Sequence, residues 1–426
     1  MKEIDAKVLD FVNKSEQNLL PLFADFEETA LFNQAKVLTA FKEERVGTHH
    51  FTSSTGYGYG DLGRKTLERV FARAFGGDAA LVRQQIVSGT HAINLCLSGL
   101  LRPGDQLIFA TGLPYDTLRT VIGLNGAARG NLQEYGVTVK IIPLLPDGSI
   151  DQQLLLREVT TKTKIVAFQR SCGYEFRPSF TIQQLALVFS ALGQLKRKPI
   201  IFVDNCYGEF VERQEPLTVG ADLIAGSLIK NPGGGWVPSG GYIVGNDDLI
   251  NQVACRLYAP GLGGEVGPSL MNLRLFFQGF FDAPHRVYEM LKAASLFAEV
   301  FQRLGFTVEP DAKEKRTDVI QRIDLNSPQR LLAICQSLQQ ISPVESYLHP
   351  EPAEMPGYKE RIIMAAGTFI TGSTSELSAD GPFKPPYSLY VQGCLSYLHA
   401  KLGLYYILNQ LKSDFFKKEL EKKSGI

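Results

Sequence analysis

The stretch GSLIKNPGGGWVPSGGYIVG, Gly226 to Gly245, decides the reading of this chain. An apolar run ends in one charged residue, Lys230, then passes at once into a glycine-rich turn before a second apolar run, YIVG. Short apolar runs bounded by glycine and proline are strand signals, and the glycines between them allow close approach of the backbone to another group. A lysine where a strand runs out, partly withdrawn from water, has its pKa lowered and becomes a usable nucleophile. Read alone, Lys230 is equally a surface lysine that lays its stem on apolar neighbours and keeps its amine in water.

Working outward, QLIFAT, TVKIIPL, KIVAFQR, PIIFVDN, DLIAGSLI and GGYIVG form a series of apolar runs, with helical segments such as SFTIQQLALVFSALGQLK between several of them. Strands apolar throughout and separated by helices predict an α/β fold with a mostly parallel sheet covered on both faces. After about residue 285 the pattern changes. HRVYEMLKAASLFAEVFQRLGF reads as a long helix, and FTVEP, DVIQRIDL and RIIMAAG as strands. A closing helix is expected from about Ser388, with Leu395, Leu398, Leu402 and Tyr405 on one stripe. At the other end, Val8, Phe11, Val12, Leu19, Leu22 and Phe23 recur at helical steps. The expected organisation is an N-terminal helical segment over 1–50, a large α/β domain over 51–285 and a small α+β domain over 286–426. The tail KSDFFKKELEKKSGI reads as a solvated end.

Composition narrows the function classes. The chain has 426 residues, 44% apolar and 21% charged, ordinary for a globular protein. Lys+Arg and Asp+Glu both number 44, a net charge of +0, which argues against a nucleic-acid-binding or anionic-membrane surface. The six cysteines are scattered without a CxxC pair, as suits a reducing cytoplasmic interior. No stretch approaches the length of an apolar membrane span, and the N-terminus has no apolar signal core.

Ligands of open α/β sheets sit beyond the carboxyl ends of the strands, and three such ends carry polar residues. In SGTHAIN, Gly89 allows close approach, Thr90 offers a hydroxyl and the following helix aims free N–H groups at an anion; an ordinary helix cap reads the same way. In IIFVDNCYGEF, Asp204 closes a wholly apolar strand and needs a cation or donors to stay charged; a protonated pyridine nitrogen or a neighbouring helix N-terminus would serve. Lys230 is the third, with Ser227 three residues before it. Together they form an anion cradle, a ring-nitrogen partner and a Schiff-base lysine, which is what pyridoxal 5′-phosphate requires.

With TSSTGYGYGDLGR, SGTHAI, GLPYDTL, QRSCGY, VDNCYGEF, GSLIKNPGGG and GTFITGSTSELSADGP in view, the sequence resembles the fold-type I pyridoxal-phosphate enzymes of the cystathionine/methionine lyase group. Within that group it is most similar to the methionine gamma-lyase-like, aluminium-resistance branch. The resemblance implies Lys230 as the covalent anchor, Asp204 as the ring-nitrogen partner, and Gly89, Thr90 and Ser227 at the phosphate. It implies Tyr115 stacked on the ring, and Tyr57 reaching across a subunit boundary, hence a homo-oligomer, a dimer of dimers. Two departures stand out. Where the group has an arginine two residues after the loop tyrosine, this chain has Tyr59, with Arg64 or Arg73 as substitutes. Where the group has a C-terminal arginine for the substrate carboxylate, this chain reads TSELSADGP, leaving Arg170, Arg177, Arg361 and Lys384 as candidates.

Gly58 to Gly63 match G-x-G-x-x-G, but HHFTSST ahead of them is a poor strand, so a dinucleotide site is not expected. His49 and His50 are not expected to form a metal pair, because adjacent side chains point apart. Cys206 reads as packing, its thiol raised beside a carboxylate. The implied activity is carbon–sulfur bond elimination on a sulfur-containing amino acid. The alternatives are another amino-acid reaction with the same cofactor (transamination, racemisation, retro-aldol cleavage) or a cofactor-holding protein with little turnover.

Overall fold

The structure is a computed structural model that describes residues 4–125, 129–270, 273–355, 360–372 and 374–412. The chain forms two compact units, Thr29–Pro284 and a second made of Met1–Glu28 with His285–Ile426. The expected separate segment over 1–50 is therefore divided, and its first part packs with the C-terminal residues.

In chain order the strands are β1 (Ala79–Arg83), β2 (Gln106–Phe109), β3 (Thr138–Ile141), β4 (Thr163–Gln169), β5 (Ile200–Asp204), β6 (Leu223–Ser227) and β7 (Gly241–Gly245), followed by β8 (Thr307–Glu309), β9 (Gln321–Asp324), β10 (Ile362–Ala365), β11 (Ser378–Pro382) and β12 (Ser388–Gln392). The helices are α1 (Ala6–Gln17), α2 (Leu20–Glu43), α3 (Leu62–Phe75), α4 (Gly89–Leu100), α5 (Asp116–Ile122), α6 (Gln152–Glu158), α7 (Ile182–Gly193), α8 (Asp247–Leu257), α9 (Leu273–Arg303), α10 (Pro328–Gln340) and α11 (Tyr397–Gln410).

The large unit is built on one seven-stranded sheet in the order β1-β7-β6-β5-β4-β2-β3. Each strand expected from the apolar runs is present. β2 to β6 pair in parallel, whereas β7 runs antiparallel to both β1 and β6. The reversal has a local cause. β6 and β7 are joined by the short glycine-rich stretch 228–240 instead of a helix, and antiparallel neighbours need no crossover. On one face, Ile165, Ala167, Phe202, Ala225 and Ile243 pack with Ala92, Ile93, Cys96 and Leu97 of α4. Burying continuous apolar strands between helix layers supplies the main driving force of the fold.

The second unit carries a five-stranded sheet, β10-β11-β12-β9-β8, with antiparallel pairing throughout. Here the sequence reading needs three corrections. The expected closing helix from Ser388 begins as β12, because Leu389, Tyr390 and Val391 fill a fully buried strand; the helix α11 starts only at Tyr397. Its buried residues include Tyr397, Ala400, Leu404, Ile407, Leu408 and the expected Tyr405, while Leu398 is exposed. The N-terminal helix is two helices, broken around Asn18. Val8 and Val12 of α1 are buried, and Tyr405 of α11 hydrogen-bonds Asn13 at 2.7 Å, so the first residues find their apolar partner in the last helix. The tail from 413 onward lies outside the described residues.

Gly233 and Gly234 of the opening stretch meet backbone, not open space. A Cβ on Gly234 (φ +56°) would lie 2.3 Å from the carbonyl oxygen of Gly279 in α9. By contrast Gly104 also has positive φ (+91°) but nothing within 4 Å. Gly104→Ala is therefore expected to cost about 1–2 kcal/mol, the left-handed penalty alone. Gly234→Ala should cost at least about 3 kcal/mol, since backbone must shift as well. Equal denaturation midpoints for the two variants would contradict the close approach.

Candidate active site

Parallel pairing brings the carboxyl ends of the central strands into line. Gln169 at the end of β4 is paired with Asp204 at the end of β5, and Asp204 with Ala225 of β6. Ser227 ends β6, and Lys230 follows, opening the 3-10 turn Asn231–Gly233. α4 meets these ends with its N-terminus. Ser88 caps it, its Oγ accepting from His91 N–H at 3.1 Å. A Cβ on Gly89 would lie 3.3 Å from both Cys206 Sγ and Ser227 Cβ, a tight approach that a glycine avoids where the helix starts this close. Next to it, Thr90 Oγ1 and the Tyr115 hydroxyl share a hydrogen bond of 2.9 Å, and Tyr115 N–H donates to Gln169 Oε1 at 3.0 Å. Gly89, Thr90, Tyr115, Asp204, Ser227 and Lys230, far apart in sequence, are thus gathered at one edge of one sheet.

Charge is confined there. Asp204 is buried, with Cys206 N–H donating to its Oδ1 at 3.1 Å. Burial pushes its carboxyl up, and the charge of Lys230 pulls it back down without cancelling the rise. Lys230 Nζ lies 3.7 Å from the centroid of the Tyr207 ring. Burial pushes this amine down, but Tyr207, Cys206 and Asp204 outweigh it and the net shift is upward. That corrects the expectation of a lowered lysine pKa: the partners win over desolvation. The Tyr115 phenol is pushed up by burial and then by Asp204. The Cys206 thiol is driven well up by the same two causes, which leaves it protonated.

The arginine candidates fare differently. Arg170 is fully buried, its Nη2 on Glu212 Oε2 at 2.9 Å and its Nη1 on Asn205 Oδ1 at 3.0 Å, so these guanidinium nitrogens are engaged within the protein. Arg177 is buried as well, donating to the carbonyls of Pro178, Gln169 and Ser171. Arg361 and Lys384 belong to the second unit; Arg361 lies 5.8 Å from the Phe383 ring centroid and Lys384 pairs with Glu360 at 3.0 Å. Arg64 and Arg73, named as substitutes for the missing loop arginine, both have partners within the chain. Arg64 is buried and binds the carbonyls of Gly58, Gly267 and Glu265, and Arg73 pairs with Glu43 and Glu44.

Tyr57 sits on the loop that Arg64 holds. Its carbonyl accepts from Gly267 N–H at 3.0 Å, while its ring is 69% exposed and stacks on that of Tyr59 with centroids 5.5 Å apart. Among the described residues no strand precedes Gly58. The His49 and His50 rings, however, come within 3.9 Å of each other, because a 3-10 turn does not separate neighbours as a strand does. Among the described residues no group of three or more metal-ligating side chains exists, and no helix is long and apolar enough to cross a membrane. Among the described residues no cysteine forms a disulfide.

Three residues at this edge escaped the sequence reading. Gln169 ends an apolar strand just as Asp204 does, and that signal was available. Tyr207 and Glu209 follow β5 in an irregular turn, where no periodicity marks them.

The strand-end acid, the following lysine and the helix N-terminus on a mixed seven-stranded sheet define a protein of the fold-type I pyridoxal-phosphate lyase group. The chain belongs to the methionine gamma-lyase family, whose model matches residues 8–412. It is 47% identical to an uncharacterised protein of Bacillus subtilis, YnbB, over 91% of this chain and 92% of that protein. A crystal structure from Listeria monocytogenes, described as a candidate cystathionine beta-lyase involved in aluminium resistance, superposes with a TM-score of 0.92 at 46% identity, covering 94% of this chain and 99% of that one. A carbon–sulfur lyase involved in aluminium resistance from Clostridium novyi gives a TM-score of 0.92 at 42% identity, with coverages of 96% and 97%.

Glu209 offers a test of the polarity of this edge. It is fully buried, accepts from the Tyr242 hydroxyl at 2.7 Å, and burial pushes it from 4.5 up to about 8. The folded protein thus keeps a proton that the unfolded carboxyl releases near 4.5, so stability falls as pH rises from there through about 8. Glu209→Gln is expected to remove this decline and to raise the melting temperature at pH 8 by at least about 2 °C. Parallel melting curves for variant and parent between pH 5 and 8, followed by calorimetry, would contradict the assignment.

Proposed function

We propose that the chain is a pyridoxal-phosphate-dependent carbon–sulfur lyase that takes a sulfur-containing amino acid to a keto acid, ammonia and a thiol. The observation that carries this reading is the buried Asp204 at the end of β5, with Lys230 close enough to act on its charge and the α4 N-terminus set against the same strand ends. Family membership and the Clostridium novyi neighbour's name point the same way.

The residues present fit such a cofactor. A buried carboxylate held by the backbone N–H and the thiol of Cys206 would be stabilised further by a cationic ring nitrogen. Ser88, Gly89 and Thr90 open α4 with N–H groups suited to a phosphate. When bound, the cofactor supplies an electron sink that acidifies the substrate's Cα–H. Lys230 Nζ would anchor it and, as a neutral amine, would take the proton from the substrate's Cα. Asp204 keeps the ring nitrogen protonated. Thr90 and Ser227 hydroxyls would hold the phosphate, and Tyr115, fixed by Thr90 and Gln169, would lie against the ring. Tyr57, exposed on an anchored loop, serves the active site of a second copy in a dimer of dimers. Free thiols and balanced charge suit a cytoplasmic location.

Purified protein is to be offered cystathionine, methionine and related amino acids, with keto acid, ammonia and thiol measured together. Release of all three from at least one is expected, and Asp204→Asn should lower kcat by about 100-fold or more. Turnover without thiol release, or near-parental activity in Asp204→Asn, would contradict the reading. Light scattering should find the active species oligomeric; an active monomer would remove the role of Tyr57.

A further inference from the structure

The residue that the Lys230 amine touches has no role in the scheme above. Its Nζ lies 3.7 Å from the ring centroid of Tyr207, well within cation–π range, and Tyr207 is buried. Tyr207 has φ +69°, and Phe210, three residues on, has φ +63°. Bulky side chains rarely take this conformation and persist in it only where the surroundings over-determine it. The surroundings here do so. Arg170 Nη1 donates to Asn205 Oδ1 at 3.0 Å and to the Gly208 carbonyl at 2.8 Å, and Nη2 to Glu212 Oε2 at 2.9 Å. Asn205 Nδ2 donates to Glu215 Oε2 at 3.0 Å, and Phe210 N–H to Glu215 Oε1 at 2.9 Å. From the lysine's side, Asn231 Nδ2 donates to the Glu209 carbonyl at 3.0 Å. A glycine at 207 would relieve the backbone and lose only the ring. The fold keeps the ring at the cost of strain.

We propose that the face of Tyr207 is the resting station of the Lys230 ammonium, in the cofactor-free protein and after the lysine has taken the Cα proton, and that Arg170, Asn205 and Glu215 are positioning residues which hold the strained turn presenting it. The inference deepens the function above and rests on Lys230 being the anchoring amine. A ring face stabilises the cation without the directed hydrogen bonds of a carboxylate, so the amine is held near its working place and leaves it readily. The other titratable groups that act on this amine, Asp204 and Cys206 at the end of β5, Glu209 in the same turn and Tyr115 at the start of α5, stay in place in the variants.

The test uses the whole chain stripped of cofactor with hydroxylamine. Reductive methylation of Lys230 is followed by peptide mass mapping at about pH 9, where only the neutral amine reacts. Tyr207→Phe should label faster than the parent but clearly slower than Tyr207→Leu, since the hydroxyl's hydrogen bond to the amine is lost and the ring face is kept. Tyr207→Leu and Tyr207→Asn should label about tenfold faster, one pH unit of lost cation stabilisation. Asparagine accepts positive φ readily, which guards against loss of fold. Unchanged rates in both ring-less variants would overturn the proposal. So would Tyr207→Phe labelling as fast as Tyr207→Leu, which would place the effect in the hydroxyl. The readout needs no turnover. A parent protein that binds no cofactor would end the functional proposal, while the labelling rates would still decide the role of Tyr207.

Discussion

A carboxylate buried at the end of an apolar strand is costly unless something positive faces it. Asp204 carries that cost for this molecule. Its strand, β5, is apolar up to that residue and lies at the centre of the seven-stranded sheet, so the acid has no easy way out to water. Lys230 supplies part of the compensation, and its own amine is held up by the groups around it. The rest of the edge follows from keeping these two charges close and dry. Gly89 lets a helix begin against them, Gln169 and Thr90 fix Tyr115 beside them, and a network centred on Arg170 shapes the turn below the lysine.

Much of this was legible in the sequence because the signals are local and strong. Unbroken apolar runs ended by a single polar residue mark both the strands and their functional ends, and this pattern yields β2, β4, β5, β6 and β7 along with Asp204 and Lys230. The direction of β7 was not visible, since a strand reads the same either way. It is the shortness and glycine content of the 228–240 connection that reverses it.

The misses share a physical origin in tertiary contacts. β11 contains Ser378, Asp380 and Gly381, poor strand formers that become a strand only by pairing on both sides with β10 and β12. The segment 388–392 has helical spacing with residues downstream, yet sheet pairing with β9 claims it. Arg170 was a reasonable candidate for a substrate carboxylate until its partners, Asn205, Glu212 and Glu215, came into place from 35 or more positions away. The upward shift of Lys230 likewise depends on which groups surround the amine, something no single stretch of sequence states.

The account turns on Lys230 Nζ as the point of covalent attachment. Borohydride reduction of the purified protein, followed by proteolysis and mass spectrometry, tests this most directly. The account requires a pyridoxyl-phosphate mass on the peptide containing Lys230 and on no other lysine. An unmodified Lys230 peptide, or the label elsewhere, would contradict it.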